Sequence, residues 1–264
     1  MATTATTTST KGRFVWHELL TTDPVSAQDF YTQVIGWGTQ KFEGSPAGDY
    51  TMWMAGEAPI GGVMKLPADA AAMGAPPNWL AYVEVPDVDE TVVQAQQLGA
   101  QLLVPAEDIP DVGRFAVLQD PQGAVFAVIT SAMPLGPEED PSPRTFSWHE
   151  LTTADLPSGI RFYEQLFGWV KQSEFDMGNM GTYHMFGRDR FTYGGMMAKP
   201  PEAPGTYWLH YIQVADSADA AAGRATALGA KLVVGPMEVP GGDRVAVLTD
   251  PQGAYFAVHS KAAK

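Results

Sequence analysis

The chain carries one sequence pattern twice, and this repeat limits its architecture more than any other feature. Residues 14–19 (FVWHEL) return as 146–151 (FSWHEL), and residues 120–124 (DPQGA) return as 250–254 in the same order. Matched residues keep a nearly constant spacing, so the insertions between them are small. Self-similarity at a fixed spacing indicates two copies of one structural unit. We therefore predict two similar domains.

The ends of the repeat give the predicted boundaries. Domain 1 covers 12–131 and domain 2 covers 146–264, with a Pro-rich, acidic linker at 132–145 and a disordered tail at 1–11. The chain has 264 residues, of which 45% are hydrophobic, so two domains with their own cores are possible. The absence of cysteine excludes disulfides and thiolate chemistry. Because the sequence contains neither a bilayer-spanning apolar run nor a signal peptide's apolar region, we predict a cytoplasmic protein.

Charge excludes two classes of partner. The formal net charge is −14 at pH 7, whereas a protein that binds nucleic acid needs a basic surface. An acidic protein is also repelled by anionic membranes. The charge could serve solubility alone or could attract a cationic small molecule. We expect a small organic ligand, aromatic or cationic, bound by a monomer or homodimer.

Each copy is predicted to form a strand, a helix and three strands, and then the same series again. Asp23 and Pro24 are typical of the first residues of a helix, and Gly36 is typical of its end. Short runs with strand character follow, and the turn at 120–123 joins the last two of them. The pattern predicts βαβββ modules, two in each copy and four in the chain.

Three motifs give the chain a family resemblance. Asp23 is followed by Phe30-Tyr31, residues 85–89 read V-P-D-V-D, and residues 120–123 read D-P-Q-G. Together they resemble motifs of the vicinal oxygen chelate superfamily, which includes glyoxalase I, bleomycin resistance proteins and extradiol dioxygenases. The resemblance implies an α+β fold of four βαβββ modules. These would pair into two cup-shaped, mixed β-sheet domains with helices on the outer face.

Metal-using members of that family place His or Glu ligands on the inward faces of their strands. The resemblance puts hydrophobic residues at these positions in both copies: Trp16, Leu80 and Ala127, and Trp148, Leu209 and Ala257. A divalent ion with open positions needs three or four nitrogen or oxygen ligands. We therefore predict no metal and no other cofactor. The alternative is a divalent metal such as Zn, Ni or Fe, held after a shift of strand register.

Histidines of the second copy provide that alternative. His149, His210 and His259 lie on three predicted strands and resemble a metal-binding triad. Side chains alternate between the two faces of a strand, and His149 and His210 are each one residue away from the inward positions. We therefore expect both to face the helix side, whereas His259 faces inward. His17 and His149, which recur in the two copies, are expected to be hydrogen-bonded structural residues under a helix. A β-bulge could reverse this assignment.

The same alternation predicts which residues line the cups. The expected ligand-binding residues are Trp16, Tyr82, Glu84, Trp148, Tyr211, Gln213 and His259. Aromatic side chains with a few polar groups are typical of small-molecule pockets.

Glu18 and Glu150 are the candidate catalytic or ligand-anchoring residues. A carboxylate on an apolar face needs a partner, because burying an unpaired charge is costly. A ligand could be that partner. Alternatively, Arg114 and Arg244 could form structural salt bridges with the two glutamates. The glycine pairs 61–62 and 194–195 are expected where strands approach closely.

The sequence leads to one preferred function and two alternatives. We expect metal-independent binding of a small molecule in aromatic, acidic cups, in a sequestration or resistance role. The first alternative is an enzyme, either a glyoxalase- or dioxygenase-like metal enzyme or a metal-free isomerase or hydratase with an inward Glu as base. The second is a structural protein whose cups are filled by its own side chains.

Overall fold

Each copy of the repeat forms one eight-stranded mixed sheet. The computed structural model describes residues 10–43, 50–201, 203 and 205–262. Copy one contains β1 (Phe14–Thr21), α1 (Pro24–Ile35), β2 (Gly38–Lys41), β3 (Thr51–Ala55), β4 (Ala58–Lys65), α2 (Ala68–Ala72), β5 (Asn78–Glu84), α3 (Val88–Gln97), β6 (Gln101–Ile109), β7 (Gly113–Gln119) and β8 (Val125–Ser131).

Copy two repeats this order, except that its described residues hold no counterpart of α2 and include a 3₁₀ turn at Gly178–Met180 between the second and third strands. Its elements are β9 (Phe146–Thr153), α4 (Leu156–Phe167), β10 (Val170–Asp176), β11 (Thr182–Arg188), β12 (Phe191–Ala198), β13 (Tyr207–Gln213), α5 (Ala218–Ala227), β14 (Lys231–Glu238), β15 (Arg244–Thr249) and β16 (Tyr255–Ser260). The predicted α+β class and the four βαβββ modules are confirmed.

The two modules of each copy join through their first strands. The strand orders are β2-β3-β4-β1-β5-β8-β7-β6 and β10-β11-β12-β9-β13-β16-β15-β14. In the first sheet β1 runs antiparallel to β5 and parallel to β4, and β5 runs parallel to β8. The four central strands are therefore the first and last strands of the two modules: β1 and β4 of the first, and β5 and β8 of the second. The second sheet has the same pairing.

The first helix of each copy has the capping residues that the sequence predicts. Asp23 caps α1 by accepting a hydrogen bond from the Ser26 backbone N–H, and Asp155 does the same for α4. Gly36 ends α1 with a φ of 81°, in the left-handed region that glycine adopts most readily.

Helices α1, α3, α4 and α5 lie between the two sheets, where they form cores shared by both copies. One core combines α1 and its own strands with α5 and the last strands of copy two. The other combines α4 and its own strands with α3 and the last strands of copy one. The copies therefore pack through their helix-bearing faces. The opposite face of each sheet is here named the cup face.

Repeated motifs of one copy contact repeated motifs of the other. The Tyr31 hydroxyl donates to Asp250 across 3.1 Å and accepts from Trp79. Tyr163 donates to Asp120 across 3.0 Å in the reciprocal bond. Both aspartates also hold their own turns by accepting backbone N–H groups. The Phe-Tyr and Asp-Pro-Gln-Gly motifs thus stabilise the contact between the copies.

Of the predicted tail at 1–11, only residues 10 and 11 lie within the described part of the chain. The Lys11 carbonyl accepts a hydrogen bond from Arg188 of copy two. In the predicted linker, the Arg144 backbone N–H donates to Gln213 and the Gly136 carbonyl accepts from Arg13. Across the described ranges, no helix is both long and apolar enough to cross a bilayer.

Candidate functional site

Strand register places the predicted inward residues together on the cup face. Trp16 lies directly opposite Tyr82, and Tyr82 lies beside Ala127. Glu18 lies opposite Leu80 and beside Gly62. Residues paired in this way share one face of a sheet. Copy two repeats the arrangement with Trp148, Tyr211, Ala257, Glu150, Leu209 and Gly195.

A tyrosine that the sequence analysis did not select connects the tryptophan and the glutamate of the first cup. The Tyr50 hydroxyl accepts a hydrogen bond from Trp16 Nε1 at 2.9 Å and donates to Glu18 Oε2 at 2.7 Å. Glu18 is only 4% exposed, and its Oε1 has no hydrogen-bond partner among the described residues. The group therefore presents a buried carboxyl oxygen that a ligand could satisfy.

The second cup contains the same group. Tyr183 accepts from Trp148 Nε1 at 2.8 Å and donates to Glu150 Oε2 at 2.7 Å. The Tyr211 hydroxyl also donates to Glu150, a residue that is partly buried. The glutamate of the second cup therefore has one more phenol partner than Glu18, so the two cups are not equivalent.

Glycine is required beside each of these tyrosines. A Cβ on Gly62 would lie 1.9 Å from the Tyr50 hydroxyl oxygen, and one on Gly195 would lie 2.0 Å from the Tyr183 ring. A Cβ on Gly61 would lie 2.3 Å from the His17 carbonyl oxygen. The prediction of close approach at the paired glycines is confirmed, since each pair accommodates a strand on one face and a tyrosine on the other.

Burial controls the ionisation of both glutamates. It raises the pKa of Glu18 to about 8, although the hydrogen bonds from Tyr50 and Trp16 oppose the shift. Burial also raises the pKa of Glu150, against the hydrogen bonds from Tyr183 and Tyr211. Tyr82 lies close enough that the charge of Glu18 adds to the effect of burial and raises the pKa of its phenol.

The predicted salt bridges to the two glutamates are wrong. Arg114 pairs with Asp89 at 2.8 Å and with Asp108 at 3.1 Å, and Arg244 pairs with Asp219 at 2.7 Å. These arginines extend towards the first turns of α3 and α5. The partners of Glu18 and Glu150 are phenols, not cations.

Two of the other predicted ligand-binding residues, Glu84 and His259, have protein partners. Glu84 is buried and accepts from the Ser131 hydroxyl at 2.6 Å. His259 bonds Ser147 through Nδ1 and Asp243 through Nε2, both at 2.9 Å.

Gln213 lies directly beside His259 on the neighbouring strand, and its side chain is buried. Its Oε1 has no hydrogen-bond partner within the described residues. Of Glu84, His259 and Gln213, it is therefore Gln213 that has an acceptor still available to a ligand.

His149 and His210 lie on the helix side, as the alternation predicts. Their Nδ1 atoms are 3.1 Å apart, and His17 of copy one completes a buried cluster with them. Burial lowers the pKa of all three imidazoles, that of His210 to about 3. His259 is not part of this cluster. The expectation of a fully hydrogen-bonded side chain is wrong for His17, because its Nε2 has no hydrogen-bond partner in the described chain, and Nε2 of His210 has none there either.

Bulges occur in the first strand of each copy, but ahead of the histidines. The pairing shifts between Phe14 and Trp16, and the corresponding shift in copy two falls between Phe146 and Trp148. Each bulge turns its phenylalanine towards the helix side and leaves His17 and His149 in their predicted orientation. The register shift that would move these histidines into a cup is therefore absent from both strands.

The cup residues do not fit a metal centre. The positions that the family resemblance gives to ligands hold Trp16, Leu80 and Ala127, and the Tyr50 hydroxyl occupies the space above Gly62. The one carboxylate and one phenol of the first cup, with a second phenol in the other cup, do not make the nitrogen and carboxylate ligand set that a divalent ion with open positions needs. Within the described residues, the one potential three-ligand group is the histidine cluster on the opposite face.

Comparison with protein families agrees with this architecture. The model of the Glyoxalase/Bleomycin resistance protein/Dioxygenase superfamily matches residues 13–128 and again residues 145–258. The chain belongs to this superfamily. Its two matches fall on the two sheets, one on each copy of the repeat.

Two relatives match nearly the whole chain. CFP32 of Mycobacterium tuberculosis, whose name describes it as a glyoxylase, is 33% identical over 247 residues, which is 92% of this chain and 92% of the relative. The anthracycline biosynthesis protein DnrV of Streptomyces peucetius is 28% identical over 261 residues, covering 94% of this chain and 92% of the relative.

Solved structures of two enzymes share the fold at low sequence identity. A Mn(II)-bound glyoxalase from Novosphingobium aromaticivorans has a TM-score of 0.63 at 14% identity, covering 96% of this chain and 83% of that one. Homoprotocatechuate 2,3-dioxygenase from Brevibacterium fuscum, in complex with 3,4-dihydroxyphenylacetate, has a TM-score of 0.66 at 14% identity, with 96% and 81% covered. At such identity the likeness shows the fold alone.

Proposed function

We propose that this chain binds small aromatic molecules in its cups, with no metal ion in either cup. The observation that carries the proposal is the Trp–Tyr–Glu group. It is built twice from matched residues, with hydrogen bonds of 2.7–2.9 Å in both copies. The unpartnered Oε1 of Glu18 supports a ligand contact in the first cup, because a buried polar atom without a partner is costly.

The surroundings of that group favour an aromatic ligand. Trp16 and Tyr82 are half-buried on the cup face, and Phe115 packs against Tyr82 with 6.0 Å between ring centroids. In the second cup, Trp148 and Tyr207 pack beside Tyr211. Such walls bind a flat ring system by stacking, while a hydroxyl or carbonyl of the ligand can meet the glutamate.

The relatives point to the same class of ligand. DnrV carries the name of an anthracycline biosynthesis protein, and anthracyclines are built on fused aromatic rings. The dioxygenase of similar fold holds a dihydroxylated aromatic acid. We therefore propose a hydroxylated aromatic ligand for this chain, in a sequestration or resistance role.

Binding of a named probe tests the proposal. We expect 1,4-dihydroxyanthraquinone to bind saturably and to quench tryptophan fluorescence. Trp16→Leu and Trp148→Leu report on the two cups separately and serve as matched controls for each other. Loss of a stacking tryptophan in an occupied cup is expected to weaken binding by roughly tenfold, and the double variant should lose it.

Each result decides between the proposal and its alternatives. Unchanged affinity in the double variant, with its fold intact by circular dichroism, would place the ligand outside the cups and refute the proposal. No binding by the wild-type protein would favour cups filled by Tyr50 and Tyr183. Conversion of the bound probe, abolished by Glu18→Gln, would indicate an enzyme with Glu18 as its acid or base instead of a sequestering protein.

A further inference from the structure

Three histidines meet between the two sheets, on the face away from the cups. His17 comes from β1, His149 from β9 and His210 from β13, and their exposures are 5%, 6% and 2%. Their ring centroids are 5.1, 5.2 and 5.3 Å apart, so the rings form a nearly equilateral triangle. One of these three strands belongs to copy one, and the other two belong to copy two. We name this group the seam cluster.

Reciprocal stacking fixes two of the three rings. Phe146 of copy two stacks on His17 with 3.6 Å between centroids, and Phe14 of copy one stacks on His149 with 3.7 Å. Both phenylalanines reach this position through the bulges that precede the histidines. Rings held by packing are pre-organised, and a binding site built from them loses little side-chain entropy when it is filled.

The hydrogen bonds of the seam cluster are incomplete. His149 Nδ1 and His210 Nδ1 share one bond of 3.1 Å. Nε2 of His17 and Nε2 of His210 are fully enclosed and have no hydrogen-bond partner among the described residues. A buried nitrogen left unpaired costs about 1–3 kcal/mol. Two such nitrogens in one cluster of three imidazoles indicate a ligand that accepts electron pairs.

We propose that the seam cluster is a structural metal site for a borderline divalent cation, Zn²⁺, Ni²⁺ or Cu²⁺, which links the two halves of the chain. Imidazole is a preferred ligand of these ions, and a cluster without carboxylates does not suit Mg²⁺ or Ca²⁺. One nitrogen from each histidine already lies within 4.8 Å of the others. Tetrahedral coordination would separate ligand nitrogens by about 3.3 Å, so the rings would have to turn towards one another when an ion binds.

This site differs in place and in role from the metal positions that the family resemblance implies. Those positions lie on the cup faces, where this chain carries Trp16, Leu80 and Ala127. The seam cluster lies beneath the cups, at the contact between the sheets. Its ion would stabilise the pairing of the two copies and would not contact a cup ligand.

The chain itself offers a conservative variant. Ala81 occupies the position in copy one that His210 occupies in copy two, opposite His17 on the neighbouring strand. His210→Ala therefore introduces the residue that the other copy already tolerates. His184→Ala is the matched control, because His184 is buried on β11 outside the cluster.

Metal binding to the full-length, chelator-treated protein tests the proposal. We expect one equivalent of Zn²⁺ to bind the wild-type protein and His184→Ala and to raise their Tm by roughly 5–10 °C at a free concentration about 100 times Kd. His210→Ala and His17→Gln should lose at least tenfold in affinity and most of the shift. Unchanged binding by both variants, or no stoichiometric binding by the wild type, would overturn the proposal.

A measurement on the wild-type protein covers the case in which both variants fail to fold. With one equivalent of Cu²⁺ bound, we expect the electron paramagnetic resonance spectrum to show superhyperfine splitting from imidazole nitrogens. A spectrum without nitrogen splitting would refute the seam cluster as the ligand set.

Discussion

The stability of the Glu18→Gln variant relative to the wild type is expected to increase as the pH rises from 5 to 9. Burial raises the pKa of Glu18 to about 8 from the ordinary value of 4.5. Between these two values the folded state keeps the proton and the unfolded state loses it. The favourable contribution of the protonated carboxyl is therefore complete below pH 4.5 and is lost as the pH rises through 8.

The expected magnitude follows from the size of the shift. Each pKa unit corresponds to about 1.4 kcal/mol, so the free energy of unfolding of the wild type should fall by roughly 3–5 kcal/mol relative to Glu18→Gln over this range. Urea unfolding of both proteins at pH 5, 7 and 9 measures the difference.

Glu150→Gln is the matched comparison. The free energy of unfolding of the wild type should also fall relative to Glu150→Gln as the pH rises. The fall should be smaller, because Glu150 is more exposed and receives hydrogen bonds from two phenols. A constant difference between wild type and Glu18→Gln from pH 5 to 9 would show that Glu18 is not held in a desolvated environment.

Gly194→Ala is expected to cost roughly 4 kcal/mol or more in the free energy of unfolding, or to prevent folding. A Cβ at this position would lie 1.8 Å from the His149 carbonyl oxygen and 2.7 Å from its carbon, on the strand that pairs with β12. Backbone atoms in the centre of a sheet cannot move aside without breaking strand hydrogen bonds. A substitution that overlaps sterically with these backbone atoms is therefore among the most destabilising.

A second glycine provides the control for Gly194→Ala. Gly223 is exposed within α5, and a Cβ there would meet nothing within 4 Å. Gly223→Ala should stabilise the protein by about 0.5–1 kcal/mol, because alanine is the better helix former. Thermal unfolding of both variants tests the assignment; Gly194→Ala with wild-type stability would mean that β12 and β9 are not packed as described.

The sequence predicts those features of the fold that depend on local chemistry. Asp23 and Gly36 begin and end their helix because capping involves residues only a few positions away. The inward orientation of Trp16 and Glu18 follows from the alternation of side chains along a strand. Both kinds of signal occur twice in the chain, so the prediction made for one copy is supported by the same signal in the other.

The contacts of the site were harder to predict because they join distant segments. Arg114 is on a strand next to the cup, yet its side chain reaches Asp89 on α3 instead of Glu18. Tyr50 is 32 residues from Glu18, and nothing in the local pattern assigns its hydroxyl to that carboxyl. The available signal was its recurrence as Tyr183, ahead of the second glycine pair.

The seam cluster depends on how the two copies pack. His17 and His149 recur in the repeat, but they meet only because the two sheets pack through their helix-bearing faces. His210 has no histidine counterpart in copy one, so repetition gave no signal for it. Periodicity correctly assigned all three to the helix side but could not show that they form one group.

Metal-free binding in the cups is the central claim, and one measurement tests it most directly. The protein is treated with a chelator, shown by elemental analysis to hold no metal, and titrated with 1,4-dihydroxyanthraquinone beside the His210→Ala variant. We predict that both bind the probe with an affinity within about twofold of the untreated wild type. Loss of binding in both proteins after metal removal, with recovery on adding Mn²⁺ or Fe²⁺, would contradict the claim.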